Sequence, residues 1–401
     1  MSFADLPSGA SLKPKPFKAH ISDQELSDFK QLLKLSKIGP KTYENSVADV
    51  KDFTSFGISR DWLAKTKEHW ETKYDWRKCE DRINSFPNFT APINDDDTGF
   101  TFDIHFLALF SKKADAVPLL LLHGWPGSPL EFLGALDVLK NKYTPDDLPF
   151  HVVVPSLPGY SYSSGPPLDQ NFNTEGIARV MDKLMHGLGF GAGYIAQGGD
   201  IGSFVSRVLA VTAESCKAAH LNLFIGVQGE PDGLSDKEKR GLERYNNFGT
   251  VGNAYAREHG TRPATIGLVL SSSPVALLAW VGEKLLSWTA ESPSVDELLD
   301  SVTLYWLTDS FPRAIYPYRQ FFGANPTFFH NDPAFYMKKP MGYSWHPQEL
   351  APVPKAWAET TGNMVWYREH KEGGHFAAWE VPKLFVEDIE SFMRDVWPKA
   401  K

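Results

Sequence analysis

Apolar and polar positions alternate in a regular way through the middle of this chain. Between residues 100 and 223, short apolar runs are separated by stretches in which apolar residues recur every three or four positions. The run 117–122 is apolar throughout, which is typical of a strand buried on both faces of a parallel sheet. Strands that alternate with helices predict a mostly parallel, doubly wound α/β sheet.

The predicted strands share a short apolar run bounded by turn residues. They cover residues 100–106, 117–122, 152–155, 193–196, 220–223, 341–344 and 363–367. The predicted helices share apolar residues at helical spacing. They cover residues 25–37, part of 58–74, and then 130–141, 174–187, 204–212, 273–287 and 383–396.

Two segments depart from the alternation of strands and helices. Residues 1–95 are predicted to form an N-terminal helical extension outside the sheet, and Ser22 with Glu25 fits a capping box at its first helix. Residues 224–325 are mostly helical and interrupt the sheet, which favours a cap over the carboxyl ends of the strands. The remaining segments, 96–223 and 326–401, are predicted to be the two parts of an α/β core.

Composition limits the kinds of ligand and the cellular compartment that we expect for this protein. The net charge of −8 argues against nucleic acid or an anionic membrane as the ligand. No segment has the length and apolarity of a signal peptide or a membrane anchor, so a soluble, cytoplasmic protein is expected. Cys79 and Cys216, the only two cysteines, form neither a metal site nor a disulfide scaffold by themselves, and a reducing compartment is the simpler inference. We expect neither a metal ion nor a cofactor.

The pentapeptide Gly198-Gly199-Asp200-Ile201-Gly202 carries most of the chemical information. It lies between a predicted strand and a predicted helix, where small residues on either side of a central nucleophile permit a sharp turn. A carboxylate in this position is a poor acyl acceptor but a competent nucleophile toward a saturated, electrophilic carbon. The turn therefore indicates hydrolysis of an epoxide or an alkyl halide, with a plain Gly-Asp turn as the alternative.

A second glycine-rich turn, 123–128, follows the strand 117–122. The backbone N–H groups of Trp125 and of Ile201, the residue after the nucleophile, are predicted to form an oxyanion hole. His123 is expected to tie down this loop and to take no part in the chemistry.

A nucleophilic carboxylate needs a base to activate water in a second step. His375 lies in a Gly-Gly-His turn after the last strand, which is where this chain order places the histidine. Its acidic partner should lie between the cap and His375, where the carboxylates are Asp332, Glu349, Glu359, Glu369 and Glu372. We favour Glu349, which follows the strand 341–344, with Glu359 as the alternative.

The leaving group distinguishes an epoxide from a halide. Dehalogenases of this kind usually carry Trp directly after the nucleophile and Asn after the His-Gly of the oxyanion turn, where this chain has Ile201 and Trp125. An epoxide oxygen needs a proton as its ring opens, and a neutral tyrosine in the cap can supply one. Spacing alone leaves several tyrosines as candidates: Tyr255 and Tyr318 first, with Tyr245, Tyr305 and Tyr316 not excluded.

Considered together, these motifs resemble the microsomal-type epoxide hydrolases, particularly their soluble fungal branch. The matching segments are 123–128, 154–160, 197–203, 220–223, 255–263, 272–284, 305–307 and 372–377. The resemblance implies an α/β-hydrolase fold in which Asp200 is the nucleophile, His375 the base and Glu349 its acidic partner. It also implies that Tyr255 and Tyr318 are the ring-opening acids, with Trp125 and Ile201 offering backbone N–H groups.

The chain departs from that family in three places. Ile201 stands where many relatives have Trp or another aromatic residue, which widens the site, and the anchor of the membrane-bound relatives is missing. Residues 320–339 have no clear counterpart. The aromatic content of 13% favours a lipophilic or aryl epoxide as substrate, and a homodimer would fit the family. Dehalogenation and a scaffold without chemistry are the competing hypotheses.

Overall fold

One sheet organises the part of the chain that the computed structural model describes, residues 2–230, 232–324 and 326–400. Its strands are β1 (Lys15–Pro16), β2 (Asn88–Asp95), β3 (Phe100–Leu109), β4 (Val117–Leu122), β5 (Phe150–Pro155), β6 (Tyr194–Gly198), β7 (Cys216–Leu221), β8 (Met337–Trp345) and β9 (Gly362–Glu369). Their order across the sheet is β1-β2-β3-β5-β4-β6-β7-β8-β9. The first three pairings are antiparallel and those from β5 to β9 are parallel, which confirms the predicted α/β-hydrolase architecture.

The helices fall into three groups along the chain. Before the sheet lie α1 (Asp23–Leu35), α2 (Tyr43–Val47), α3 (Arg60–Thr72) and α4 (Trp76–Asn84). Between strands and after the last strand lie α5 (Leu133–Lys142), α6 (Thr174–Met185), α7 (Asp200–Thr212), α15 (Lys355–Glu359), α16 (Ala377–Glu380) and α17 (Pro382–Ala400). Between β7 and β8 lie α8 (Asp236–Asn247), α9 (Ala254–Thr261), α10 (Pro263–Leu270), α11 (Pro274–Ser287), α12 (Val295–Leu307), α13 (Ser310–Ala314) and α14 (Tyr318–Phe322).

Helices cover both faces of the parallel part of the sheet. Met341 of β8 receives a weak contact from the Arg207 guanidinium of α7, 3.6 Å from its sulfur. The next residue, Gly342, faces the ring of Phe392 in α17. Because successive residues of a strand point to opposite faces, α7 and α17 lie on opposite sides of the sheet.

The N-terminal segment differs from its prediction. The capping box between Ser22 and Glu25 is present at the start of α1. Residues 88–95, which we had assigned to the helical extension, instead form β2 and pair with β3 along eight residues. The reason is an alternation of buried Phe89, Ala91 and Ile93 with more exposed neighbours, which places one face of β2 in the core.

The segment between β7 and β8 is helical, and its role as a cap stays a prediction. Its described helices span Asp236–Phe322, and the Trp288 that follows α11 reaches the turn that carries His375. Residues 326–336 then run back toward the sheet, where His330 bonds to Ser203 and Arg207 of α7. Met1, Asn325 and Lys401, at which predicted domain limits fall, lie outside the described residues.

Among the described residues, no single helix has the length and apolarity to cross a bilayer. The pair α10 and α11 reaches that length and composition together, but the two helices meet at a bend of 116°.

Candidate active site

The turn between β6 and α7 is shaped by steric limits that only glycine meets. A Cβ on Gly198 would lie 2.1 Å from the carbonyl oxygen of Gly202, and one on Gly202 would lie 2.1 Å from that of Leu122. Asp200 itself adopts a left-handed backbone with φ of 46°, a conformation that costs a non-glycine residue about 1–3 kcal/mol. Strain of this kind is typical of a nucleophile elbow, which holds one side chain clear of the strand and helix that flank it.

Both carboxylate oxygens of Asp200 are engaged. The backbone N–H of Trp125 donates to Oδ1 at 2.8 Å, and His375 Nε2 lies 3.1 Å from Oδ2. Gly124 permits this approach, because a Cβ there would lie 2.1 Å from Oδ1 and 2.6 Å from the backbone nitrogen of Ile201. The glycine-rich turn 123–128 therefore presents a donor to Asp200, and the role of Ile201 as a second donor stays a prediction.

The other nitrogen of His375 contacts Glu349. The distance from Nδ1 to Oε1 is 2.5 Å, and both side chains are buried. Glu349 Oε1 also accepts the backbone N–H of Leu350 at 2.6 Å, and Oε2 lies 3.4 Å from the amide nitrogen of Asn222. These bonds hold the Glu349 carboxylate against the imidazole of His375.

The rival acidic candidates lie elsewhere. Glu359 is 44% exposed and pairs with Lys355 at 3.0 Å on α15. Glu369 pairs with Lys237 at 2.5 Å on the surface. Of the five carboxylates between the cap and His375, the structure therefore brings Glu349 into contact with the imidazole.

The two carboxylates control the charge of His375. Burial, the largest influence, lowers the pKa of this imidazole, but the negative charge of Glu349 and the hydrogen bonds to Asp200 and Glu349 raise it to about 10. In the resting site at neutral pH, His375 is therefore protonated and lies between two carboxylates.

Tyr255 on α9 and Tyr318 on α14 both contact the indole of Trp125. The ring of Tyr255 stacks on the indole of Trp125 with 5.1 Å between centroids, and Tyr318 meets Tyr255 edge-on at 5.8 Å. Burial raises the pKa of both hydroxyls well above the ordinary value, and the charge of Asp200 adds to the effect. Both side chains are therefore neutral hydrogen-bond donors at physiological pH.

The other candidate tyrosines have partners of their own. The hydroxyl of Tyr305 donates to the carbonyl oxygen of Gly127 at 2.9 Å, and that of Tyr316 donates to the carbonyl oxygen of Pro158 at 3.0 Å. The hydroxyl of Tyr245 accepts the N–H of Gly226 at 2.6 Å. The structure thus separates Tyr255 and Tyr318 from the three tyrosines that spacing could not exclude.

Both ring nitrogens of His123 contact backbone groups and hold its loop in place. Its Nε2 accepts the N–H of Leu157 at 3.1 Å, while Nδ1 lies 3.1 Å from the carbonyl oxygen of Gly124. Burial lowers the pKa of His123 to about 4, so it is neutral and can make both bonds.

Sequence reasoning missed three residues around the site. The carbonyl oxygen of Trp288 accepts the N–H of His375 at 3.0 Å, and its indole meets the imidazole edge-on at 5.1 Å. Glu131 and Gln197 line a cavity of about 10 Å³ that also borders Asp200 and His375. Glu131 lies shortly after the His-Gly-Trp-Pro turn in the chain. That short separation is the signal from which its position near the site could be predicted.

The site is an acid–base assembly of side chains. Among the described residues, no group of three or more His, Cys, Asp or Glu side chains is arranged to hold a metal ion. Cys79 and Cys216 are free and buried.

Two family models match the chain. The model described as Epoxide hydrolase N terminus matches residues 14–132, and that of the alpha/beta hydrolase fold matches residues 117–248. Together the two matches include the glycine-rich turn 123–128 and the elbow at Asp200, and they overlap in β4 and the turn that follows it.

Individual relatives extend the likeness over nearly the full length. A Dothistroma septosporum protein named "Putative epoxide hydrolase" is 45% identical over 397 residues, which are 98% of this chain and 92% of the relative. Epoxide hydrolase 1 of Sus scrofa is 31% identical over 419 residues, which cover 94% of this chain and 88% of the relative. The solved structure of Aspergillus niger epoxide hydrolase matches with a TM-score of 0.91 at 51% identity, covering 99% of this chain and 100% of that one.

Identity at this level over matched lengths confirms the resemblance that the motifs predicted. The chain belongs to the epoxide hydrolases of the α/β-hydrolase fold, and it is an enzyme of that class.

Proposed function

We propose that the enzyme hydrolyses epoxides to vicinal diols in two steps, through an ester on Asp200. The observation that carries the proposal is the position of His375 between Asp200 and Glu349, at 3.1 and 2.5 Å, with Tyr255 and Tyr318 in contact with Trp125. These contacts support the assignment of a nucleophile, a base and two neutral acids around the indole of Trp125.

In the first step, a carboxylate oxygen of Asp200 attacks one ring carbon and the bond from that carbon to the epoxide oxygen breaks. The oxygen takes a proton from Tyr255 or Tyr318, both of which are neutral for the reason given above. Attack from the side opposite to the leaving oxygen inverts that carbon. The product is an alkyl ester of Asp200.

In the second step, water adds to the carboxyl carbon of Asp200 and loses a proton to His375. The charge that develops on the former carbonyl oxygen is stabilised by the N–H of Trp125, with Ile201 as the second donor. The bond between the carboxyl carbon and the alkyl oxygen breaks, and the diol takes the proton from His375. The proton left on the Asp200 carboxyl then passes to His375, which regenerates the carboxylate and the protonated imidazole of the resting site.

Esterification itself prepares His375 to act as a base. Two of the influences that raise the pKa of His375 come from Asp200, whose negative charge is lost when the ester forms. The imidazole then releases its resting proton more readily. That proton returns to the tyrosinate left by ring opening, so a neutral His375 is available to take a proton from the water. Glu349 keeps the neutral ring oriented.

The aromatic surroundings support a lipophilic or aryl epoxide as the substrate. A cavity of about 490 Å³ borders Tyr255 and is lined in large part by apolar side chains, among them Phe53, Phe56, Trp280 and Trp288. Flat aromatic walls favour an aryl group or a long apolar chain over a small polar epoxide.

The direct test is diol formation from styrene oxide by the wild type and by Asp200→Ala. We expect diol from the wild type and a rate lower by at least about three powers of ten in the variant. Halide release from a bromoalkane, measured in parallel, distinguishes dehalogenation. Bromide release at a rate equal to diol formation would contradict the proposed reaction.

A further inference from the structure

A small polar cavity lies behind the proposed nucleophile, away from the stacked tyrosines. It is about 10 Å³ in size, and its lining includes Asp200, His375, Glu131 and Gln197. A volume of about 10–15 Å³ is what one water molecule requires. The cavity is therefore large enough for a single water next to both groups that act in the second step.

Gln197 supplies an acceptor in this cavity. Its side chain is 1% exposed, and its Oε1 has no hydrogen-bond partner among the described residues. Its Nε2 donates to Asn222 Oδ1 at 3.2 Å, which fixes the orientation of the amide. A buried carbonyl oxygen without a hydrogen-bond partner destabilises the fold, and a water that donates to it would remove that destabilisation.

Glu131 supplies a second polar group on the other side. The carboxyl is close enough to the site for the charges of Asp200 and His375 to act on it, while burial, the largest influence, raises its pKa to about 8. It is therefore mostly protonated at neutral pH and can donate a hydrogen bond. Gly127 leaves room for it, because a Cβ there would lie 2.2 Å from Glu131 Oε2.

Glu131 also borders a second, larger cavity. This one is about 290 Å³ and shares Glu131 and Phe376 with the small cavity, but it shares no lining residue with the aromatic cavity beside Tyr255. Glu131 and Phe376 therefore lie between the small cavity and the 290 Å³ cavity, on a side of the site separate from the aromatic cavity.

We propose that the small cavity holds the water that hydrolyses the ester, and that Glu131 and Gln197 are its positioning residues. This inference rests on the proposed function. One proton of the water points to Gln197 Oε1 and the other to His375 Nε2. One lone pair accepts a hydrogen bond from Glu131, which directs the remaining lone pair at the carboxyl carbon of Asp200.

The proposal separates the two steps of the reaction. The water takes part only in ester hydrolysis, so the loss of either positioning residue should slow that step and leave ester formation unchanged. A merely structural role would slow both steps together, because it would displace Asp200 itself.

The test is a single turnover of styrene oxide followed by intact-protein mass spectrometry, with wild type, Glu131→Leu, Glu131→Gln and Gln197→Met. In Glu131→Leu we expect ester formation at the wild-type rate and hydrolysis slowed by about ten- to hundredfold, so that the ester accumulates. Glu131→Gln keeps a donor of the same shape and should recover hydrolysis to within about fivefold of the wild type. Gln197→Met, which keeps the volume without the acceptor, should also accumulate ester.

The matched controls are Glu359→Gln and Gln170→Met, which make the same kinds of change at exposed positions. Both should behave as the wild type. Unchanged hydrolysis in Glu131→Leu, or equal losses in Glu131→Leu and Glu131→Gln, would overturn this inference alone. A wild type that forms no ester would overturn the proposed function and this inference with it.

Discussion

Two pairs of a buried histidine and a buried carboxylate can be compared within the part of the chain that the structure describes, and one of them lies at the proposed site. In the first, His375 Nδ1 is 2.5 Å from Glu349; in the second, His370 Nε2 is 2.6 Å from Asp388. The second pair also has a serine beside it, since Ser344 donates to the same carboxylate. By residue type, Ser344, His370 and Asp388 would pass for a hydrolytic triad.

The surroundings of the two pairs differ. Asp388 accepts hydrogen bonds from Ser344, His370 and Arg368, the last at 2.7 Å, so its carboxylate is saturated by neighbours. Ser344 donates to Asp388, and the imidazole that its hydroxyl contacts is that of His220, with Nε2 at 2.9 Å, rather than that of His370. His375 instead contacts Asp200, whose side chain is 16% exposed and lies at the elbow.

The comparison teaches that residue types alone do not make a site. The His375 pair lies in the turns that follow β8 and β9, at the carboxyl edge of the sheet, where a strained turn presents a nucleophile and a cavity admits water. The His370 pair joins β8 and the end of β9 to α17 and is part of what holds the last helix on the sheet. The predictions below separate these two roles.

The largest effect is expected for His375→Gln. Loss of the base should lower the rate of ester hydrolysis by about three to four powers of ten, while ester formation continues and the ester accumulates. The measurement is the mass of the intact protein after mixing with styrene oxide. Normal turnover without accumulation would remove His375 from its role as the base.

Asp388→Asn should affect stability and leave the chemistry intact. Removal of one partner from a buried ionic cluster typically lowers the free energy of unfolding by about 3–5 kcal/mol. Burial raises the pKa of Asp388, but the hydrogen bonds from His370 and Ser344 and the charges of His220 and His370 lower it below its ordinary value overall. The stabilisation is therefore complete above the unfolded value of 3.8 and is lost as the pH falls through the folded pKa.

The measurement is urea denaturation of wild type and Asp388→Asn, together with kcat for diol formation under folding conditions. A loss of kcat with unchanged stability would reverse the roles that we assign to the two pairs.

Tyr255→Phe and Tyr318→Phe should each slow ring opening by about one to two powers of ten, because the other tyrosine still donates. Tyr316→Phe is the matched control, since its hydroxyl donates to Pro158 and lies outside the proposed chemistry. The readout is the rate of ester formation in a single turnover. Equal rates in the wild type and both cap variants would exclude these hydroxyls as the acids.

The smallest expected effect is on the pH dependence of ester hydrolysis. In the free enzyme the pKa of His375 is raised to about 10, so the stability that its charged form contributes is complete below the unfolded value of 6.5 and is lost as the pH rises through about 10. In the ester the charge of Asp200 is gone, and the rate of ester hydrolysis should rise with pH and level off below pH 10. A profile that levels off only at pH 10 or above would contradict the coupling between Asp200 and His375.

The parts of the site that the sequence predicted are those that depend on local geometry. The elbow around Asp200 requires glycines at fixed offsets, and those glycines are visible in the sequence. The contact of His375 with Glu349 followed from chain order, because parallel strands end at one edge of the sheet.

The parts that could not be predicted depend on packing between distant segments. Tyr255 lies over Trp125 because α9 folds back across the sheet, and spacing did not distinguish it from Tyr305 or Tyr316 without the family resemblance. Gln197 and Glu131 border the same cavity because β6 and the turn after β4 lie side by side. β2 was not predicted because its alternating apolar residues are few and Pro92 lies among them. A proline usually argues against the interior of a strand, but it is tolerated here.

The most direct test of the central claim is a single turnover with enzyme in excess over styrene oxide, carried out in isotope-labelled water. The account predicts that the first diol contains no oxygen from the water, because its new oxygen comes from Asp200, and that the label appears in the peptide that carries Asp200. Label in the first diol and none in that peptide would contradict the ester and would mean that water attacks the epoxide directly.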